Sequence, residues 1–201
     1  MPGILDGIRV FDLSIAAVGP WAAKLLGELG ADVIKVEAPE GELAHYIPPP
    51  IKGTAVLYLS ANFNKRHIVL DLKQEGDRAL ALKIIAKSDV FIQNMRPGAV
   101  ERLGLGYDVV SHVNPKIVYV AASAYGRTGP MAREAGVDPT VQAFSGWCSM
   151  TGQPGSQGSG GVREQISQCD DVRRASRLWP LLPPHRRPRA RQREFSLGEP
   201  R

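Results

Sequence analysis

Five short runs of β-branched and apolar residues, IRVFDL (8–13), DVIKVE (32–37), RHIVLDL (66–72), DVFIQN (89–94) and IVYVAAS (117–123), are spaced by segments that carry a helical period or turn residues. This alternation restricts the fold more than any other feature, because neighbouring parallel strands need a long crossover, usually a helix, to return the chain. It predicts an α/β fold: a Rossmann-like, mostly parallel sheet with helices on both faces. Between the strands, Trp21, Leu25, Leu26 and Leu29 fall on one face of a helix closed by Gly30. In EGDRALALKIIAKS (75–88), Leu80, Ile84 and Ile85 point inward and Lys83 and Lys87 outward. Short helical pieces are expected in AVERLGLGYDVVSHV (99–113), a turn at YGRTGP (125–130) and a helix over DPTVQAFSGWCSM (138–150).

The pattern stops late in the chain. TGQPGSQGSGG (151–161) reads as a flexible loop, and beyond it no period is sustained. Pro180, Pro183, Pro184 and Pro188 remove backbone donors where a helix or central strand would need them, which predicts an irregular C-terminal tail. Charge breaks at the same place. The formal net charge is +5, yet the nine arginines and two glutamates from Val172 to Arg201 contribute +7 and leave the remainder at −2. All eight lysines lie at or before Lys116. The expected organisation is therefore a Rossmann-like part (1–161), a short apolar strand (162–171) and an arginine- and proline-rich tail (172–201).

Several chemistries are disfavoured. Cys148 and Cys169 are too few for a disulfide framework and have no metal-ligand spacing with the four histidines, so no metal site is expected. No secretory leader or membrane-length apolar run is read, and the expected compartment is the cytoplasm, or a mitochondrial matrix or peroxisome in a eukaryote. SIAAVGPWAAKLLGELG (14–30) follows the first strand without a G-x-G-x-x-G or a P-loop lysine, so the usual nucleotide motifs are missing. Gly19-Pro20 either merely starts a helix or leaves free N–H groups for an anionic or carbonyl group. An arginine-rich arm suits RNA, but its aromatics, Trp179 and Phe195, are far apart and prolines interrupt any stacking platform; nucleic acid is the disfavoured partner.

The segments LDGIRVFDLSIAAVGPWAAKLLGELGADVIKVE, NKRHIVLDLK, DVFIQNMRPGAVERLGLGYD and NPKIVYVAASAYGRTGP resemble, in order and spacing, the N-terminal half of the family III CoA-transferases of the CaiB/BaiF type. That family includes formyl-CoA:oxalate, carnitine and succinate–hydroxymethylglutarate CoA-transferases and α-methylacyl-CoA racemase. The resemblance covers Leu5 to Gly152. It implies an enzyme with CoA as substrate rather than resident cofactor, acting on an acyl-CoA and a carboxylic acid, and forming a homodimer of interlocked rings at full length. It places Ala17 and Val18 at the thioester end of CoA, and Leu70, Asp71, Leu72, Lys73, Asn94, Met95, Arg96 and Arg102 along the rest. Cationic groups there suit the phosphates of CoA. Ala38 departs from members that carry a CoA-contacting arginine.

Asp138 falls at a further CoA-binding position, or caps the helix that follows. Val137 stands where the racemases carry a catalytic histidine, so transfer is preferred over racemisation. The resemblance puts the nucleophilic aspartate at Asp170, after VREQISQC, with Asp171 as the alternative. The glycine and apolar helix that should follow are replaced by VRRASRLWPLLPPHRRPRARQRE, and family members run to about twice this length. A shifted reading frame or a truncation near residues 150–175 is therefore expected, with an inactive fragment as the alternative outcome.

Overall fold

The computed structural model describes residues 3–47 and 49–147. The chain divides into two compact units, Met1–Glu134 and Ala135–Arg201. The first contains, in order, β1 (Arg9–Asp12), α1 (Val18–Glu28), β2 (Asp32–Glu37), a 3-10 turn (Leu43–Tyr46), β3 (Pro50–Ile51), β4 (Thr54–Ala55), α2 (Val56–Asn62), β5 (Arg66–Val69), α3 (Glu75–Ile85), β6 (Val90–Gln93), α4 (Ala99–Arg102), α5 (Tyr107–Val113) and β7 (Val118–Ala121). The second contributes α6 (Asp138–Ser145). The loop at 151–161, the expected strand at 162–171, the tail at 172–201 and both candidate nucleophiles lie outside the described residues.

Five strands form one parallel sheet in the order β5-β2-β1-β6-β7. Each of the five runs read from the sequence contains one of them, and the order is that of a Rossmann sheet. β3 and β4 make a separate two-stranded hairpin. Two apolar clusters cover the faces of the sheet. Val10, Val33 and Ile92 pack with Ala23 and Ala31 on one face, whereas Phe11, Val36 and Phe91 pack with Ala81, Ile85 and Val110 on the other. The period-2 alternation of strand side chains accounts for the division.

The inward face of α1 differs from the expected one. Gly19, Pro20, Ala23, Lys24 and Gly27 are buried, while Trp21, Leu25 and Leu29 are 44, 47 and 49% exposed; only Leu26 of the expected face packs on the core. The reason is the close seating of the helix. A Cβ on Gly27 would stand 3.3 Å from Val33 Cγ2, and one on Gly19 only 2.2 Å from Ser14 Cβ. Small residues at i, i+4 and i+8 allow that approach, and the larger apolar residues are displaced outward. The inward side of α3 is similarly set by Ala81 and Ile85, leaving Leu80 at 41% exposed; Lys83 and Lys87 point outward as expected.

Candidate functional site

In an open parallel sheet, ligands bind beyond the carboxyl ends of the strands, at the point where strand order reverses. Here that point lies between β1 and β6. The chain leaving β1 and the chain leaving β6 are joined there by one side chain. Asn94 Oδ1 accepts from Ile15 N at 2.8 Å, and Asn94 Nδ2 donates to Ile15 O at 2.8 Å. The loop is also close to α1, since the absent Cβ of Gly19 would crowd both Ser14 and Asn94.

Beneath the loop the α1 face of the sheet turns polar. Asp12, Ser14, Lys35, Glu42 and Asn62 are all buried. The Lys65 ammonium, fully enclosed, donates at 2.8 Å to each of Asp12 Oδ2, Pro20 O and Asn62 Oδ1, so its three N–H groups are used. Asp12 Oδ1 accepts from Ser14 N and from Ser14 Oγ. Lys35 donates to Ser14 O and lies 3.2 Å from Glu42 Oε1, and Glu42 Oε2 accepts from Ala16 N. Burial pushes the Lys65 ammonium below its usual pKa, with the Asp12 charge acting in the opposite direction. None of Asp12, Ser14, Lys35, Glu42, Asn62 and Lys65 was marked from the sequence as functional. A signal existed in DVIKVE: Lys35 follows Val33 by two residues, so a central strand turns a charged side chain to its buried face, which demands a partner.

Residues 5–171 match CoA-transferase family III. The chain belongs to that family. It is 39% identical over 153 residues to the acetyl-CoA:oxalate CoA-transferase of Acetobacter aceti, covering 76% of this chain and 39% of that protein. It is 40% identical over 161 residues to the succinate–glutarate CoA-transferase of Agrobacterium fabrum, covering 76% and 40%, and 39% identical over 150 residues to the human succinyl-CoA:glutarate CoA-transferase, covering 74% and 34%. The chain thus spans 34 to 40% of the length of these curated relatives. Among solved structures, a CaiB/BaiF family protein from Brucella suis superposes with a TM-score of 0.76 at 32% identity, over 90% of this chain and 50% of that one. A hypothetical protein from Mycobacterium tuberculosis gives 0.71 at 37%, over 78% and 44%.

The family III sheet gathers most of the expected CoA residues at one edge. Ala17 and Val18 follow β1, Leu70 to Lys73 follow β5, and Asn94 to Arg102 follow β6. Their side chains have different surroundings. Lys73, Arg96 and Arg102 are exposed. Leu70 and Leu72 are buried in the core and Met95 packs against it, so the two leucines can offer a ligand only backbone atoms. The Asp71 carboxylate accepts from Lys73 N and Gln74 Nε2; the Gln74 bond, then the Lys73 bond, holds its pKa below the usual range. Asp138 lies in the second unit. It is the first residue of α6 rather than its cap, a position held by Val137, and it accepts from Gln142 Nε2 one turn on.

Next to this edge Glu37, at the end of β2, accepts from Tyr58 OH at 2.5 Å and pairs with His45 Nε2 at 2.9 Å. Burial opposes its charge, but the bonds from Tyr58 and His45 and the nearby Lys35 together lower its pKa. Burial and the Glu37 charge raise the Tyr58 phenol above its usual range. A carboxyl with a depressed folded-state pKa contributes stability above its ordinary value of 4.5 and loses it as pH falls through the lower folded value. In urea titrations the unmodified chain should therefore lead Glu37→Gln at pH 6 and lose that lead below pH 4.5; a lead independent of pH down to 3 would contradict the assignment.

Proposed function

We propose that this chain holds CoA at the carboxyl edge of its sheet, and that the reaction it serves moves CoA between an acyl-CoA and a carboxylic acid through a thioester on Asp170. The observation that carries the reading is the family match, which runs from residue 5 to residue 171 and so takes in both Asp170 and its alternative, Asp171. Lys73, Arg96 and Arg102 would face the phosphates, with charge-assisted hydrogen bonds of the kind that cations make to them. Ala17 and Val18 would lie along the thioester end. CoA is a substrate here, and no resident cofactor enters the chemistry. The relatives named for oxalate and glutarate favour a dicarboxylate as the acid, and at the relatives' length the partner would be a second copy of the chain.

The Asp170 carboxylate attacks the thioester carbon, the C–S bond breaks, and the CoA thiolate leaves a mixed anhydride. The thiolate then attacks the aspartyl carbonyl and releases the first acid, giving aspartyl-CoA. The incoming carboxylate repeats these steps in reverse. A carboxylate needs no base for this, only alignment and a dry setting.

The chain incubated with succinyl-CoA and analysed by mass spectrometry should carry one CoA on the peptide containing Asp170. Asp170→Ala should abolish the adduct, and transfer of the adduct to Asp171 would correct the assignment. CoA binding without any adduct would overturn catalysis by this chain and leave a CoA-holding fragment.

A further inference from the structure

Three consecutive peptide N–H groups, those of Ser14, Ile15 and Ala16, are each taken by a side chain: Asp12, two residues back at the end of β1, and Asn94 and Glu42, from segments remote in sequence. Two of the matching carbonyls are also held, Ser14 O by Lys35 and Ile15 O by Asn94. Loops usually leave such groups to water. Here the backbone is fixed atom by atom immediately before Ala17 and Val18. The fixing also holds an unfavourable conformation, since Ala16 adopts φ 63°, a left-handed geometry that a side-chain-bearing residue seldom takes. A residue stays there only when its surroundings over-determine it.

We propose that Glu42 and Asn94 are positioning residues that clamp this loop from its two sides, and thereby set the backbone that receives the thioester end of CoA. The inference rests on the CoA-holding role proposed above. Glu42 is only 5% exposed, and its carboxylate is engaged by Ala16, Lys35 and Asn62, so it acts through Ala16 and not by touching the ligand. Asn94 commits both ends of its amide to Ile15. Each residue comes from a segment remote in sequence from the loop, and the two pull on adjacent peptide units.

The test compares two probes on the whole chain by calorimetry: acetyl-CoA, and adenosine 3′,5′-bisphosphate, which lacks the thioester end. Asn94→Ala frees only Ile15, which is exposed enough for water to take its backbone groups. It should weaken acetyl-CoA about tenfold and leave the bisphosphate within twofold. Glu42→Gln keeps one acceptor for Ala16 and should weaken acetyl-CoA about threefold with the same selectivity. Loss on Asn94→Ala alone would assign Asn94 to direct contact and overturn the clamp, as would equal weakening of both probes or no weakening of either. Should Glu42→Gln fail to fold, Lys35→Met/Glu42→Gln removes both buried charges and takes its place. An unmodified chain that binds neither probe would refute the CoA-holding role and the clamp together.

Discussion

Replacing Lys65 by methionine should cost the fold about 3–5 kcal/mol, the range for breaking a buried ion pair by removing one partner. The size follows from what remains. Asp12 is fully buried, and without Lys65 its carboxylate keeps only the two hydrogen bonds from Ser14 and loses its ion-paired cation, the nearby Lys35 being committed to Glu42 and Ser14 O. Pro20 O and Asn62 Oδ1 lose a donor in the same step. Urea denaturation of Lys65→Met, Asp12→Asn and the double variant measures the coupling directly. The double variant should be more stable than Lys65→Met alone, because the charge and its uncompensated burial are removed together. A single-variant cost below about 1 kcal/mol would show that water reaches Asp12 and that the pair is not sealed.

That cluster marks the boundary between what the sequence disclosed and what it concealed. Strands are short-range features here: IRVFDL and DVIKVE are β-branched and bounded by turn residues, and they emerge as strands within two residues of the expected ends. The parallel order follows from the helices between them. Which face of α1 turns inward was not legible in the same way. The apolar period marked Trp21, Leu25 and Leu29, but the governing quantity was the distance of closest approach, and that depends on the small residues Gly19, Ala23 and Gly27 meeting Ser14 and Val33. A local pattern does not contain that information.

The site divides along the same line. Lys73, Arg96 and Arg102 could be marked because they lie in LDLK and NMRPGAVER, contiguous segments whose resemblance to the family is readable without any knowledge of the fold. Glu42, Asn62 and Lys65 act through contacts spanning 20 to 53 residues, and they lie near a hairpin and a helix that no strong period announces. The assignment of Asn94 illustrates both sides. Its position was legible, whereas the commitment of its amide to Ile15, 79 residues earlier, belongs to the topology.

Phe91→Ala is expected to be as damaging as loss of Lys65, about 3–5 kcal/mol, for a different physical reason. Phe91 pairs in register with Phe11 on β1 and with Tyr119 on β7. The three rings stack across the strands, with centroids 5.4 and 4.7 Å apart and planes within 10°. Tyr107 meets the Tyr119 ring edge-on at 5.6 Å, and the Tyr119 hydroxyl donates to Leu105 O. Truncating the middle ring removes its burial and opens a cavity walled by two rings held by their own strands, so the site cannot collapse to fill it. Phe91→Leu, which nearly conserves volume, should cost under about 1.5 kcal/mol if volume is what matters. A cost near that of alanine would instead attribute the loss to ring stacking, for which about 0.5–1.5 kcal/mol per pair is the ordinary scale. The effect should also reach the ligand. Phe91 lies three residues before Asn94, on the strand that leads into one side of the clamp. Phe91→Ala should accordingly weaken acetyl-CoA more than adenosine 3′,5′-bisphosphate under conditions where the variant is still folded. Parallel weakening of both probes would mean that the core and the loop respond as one unit.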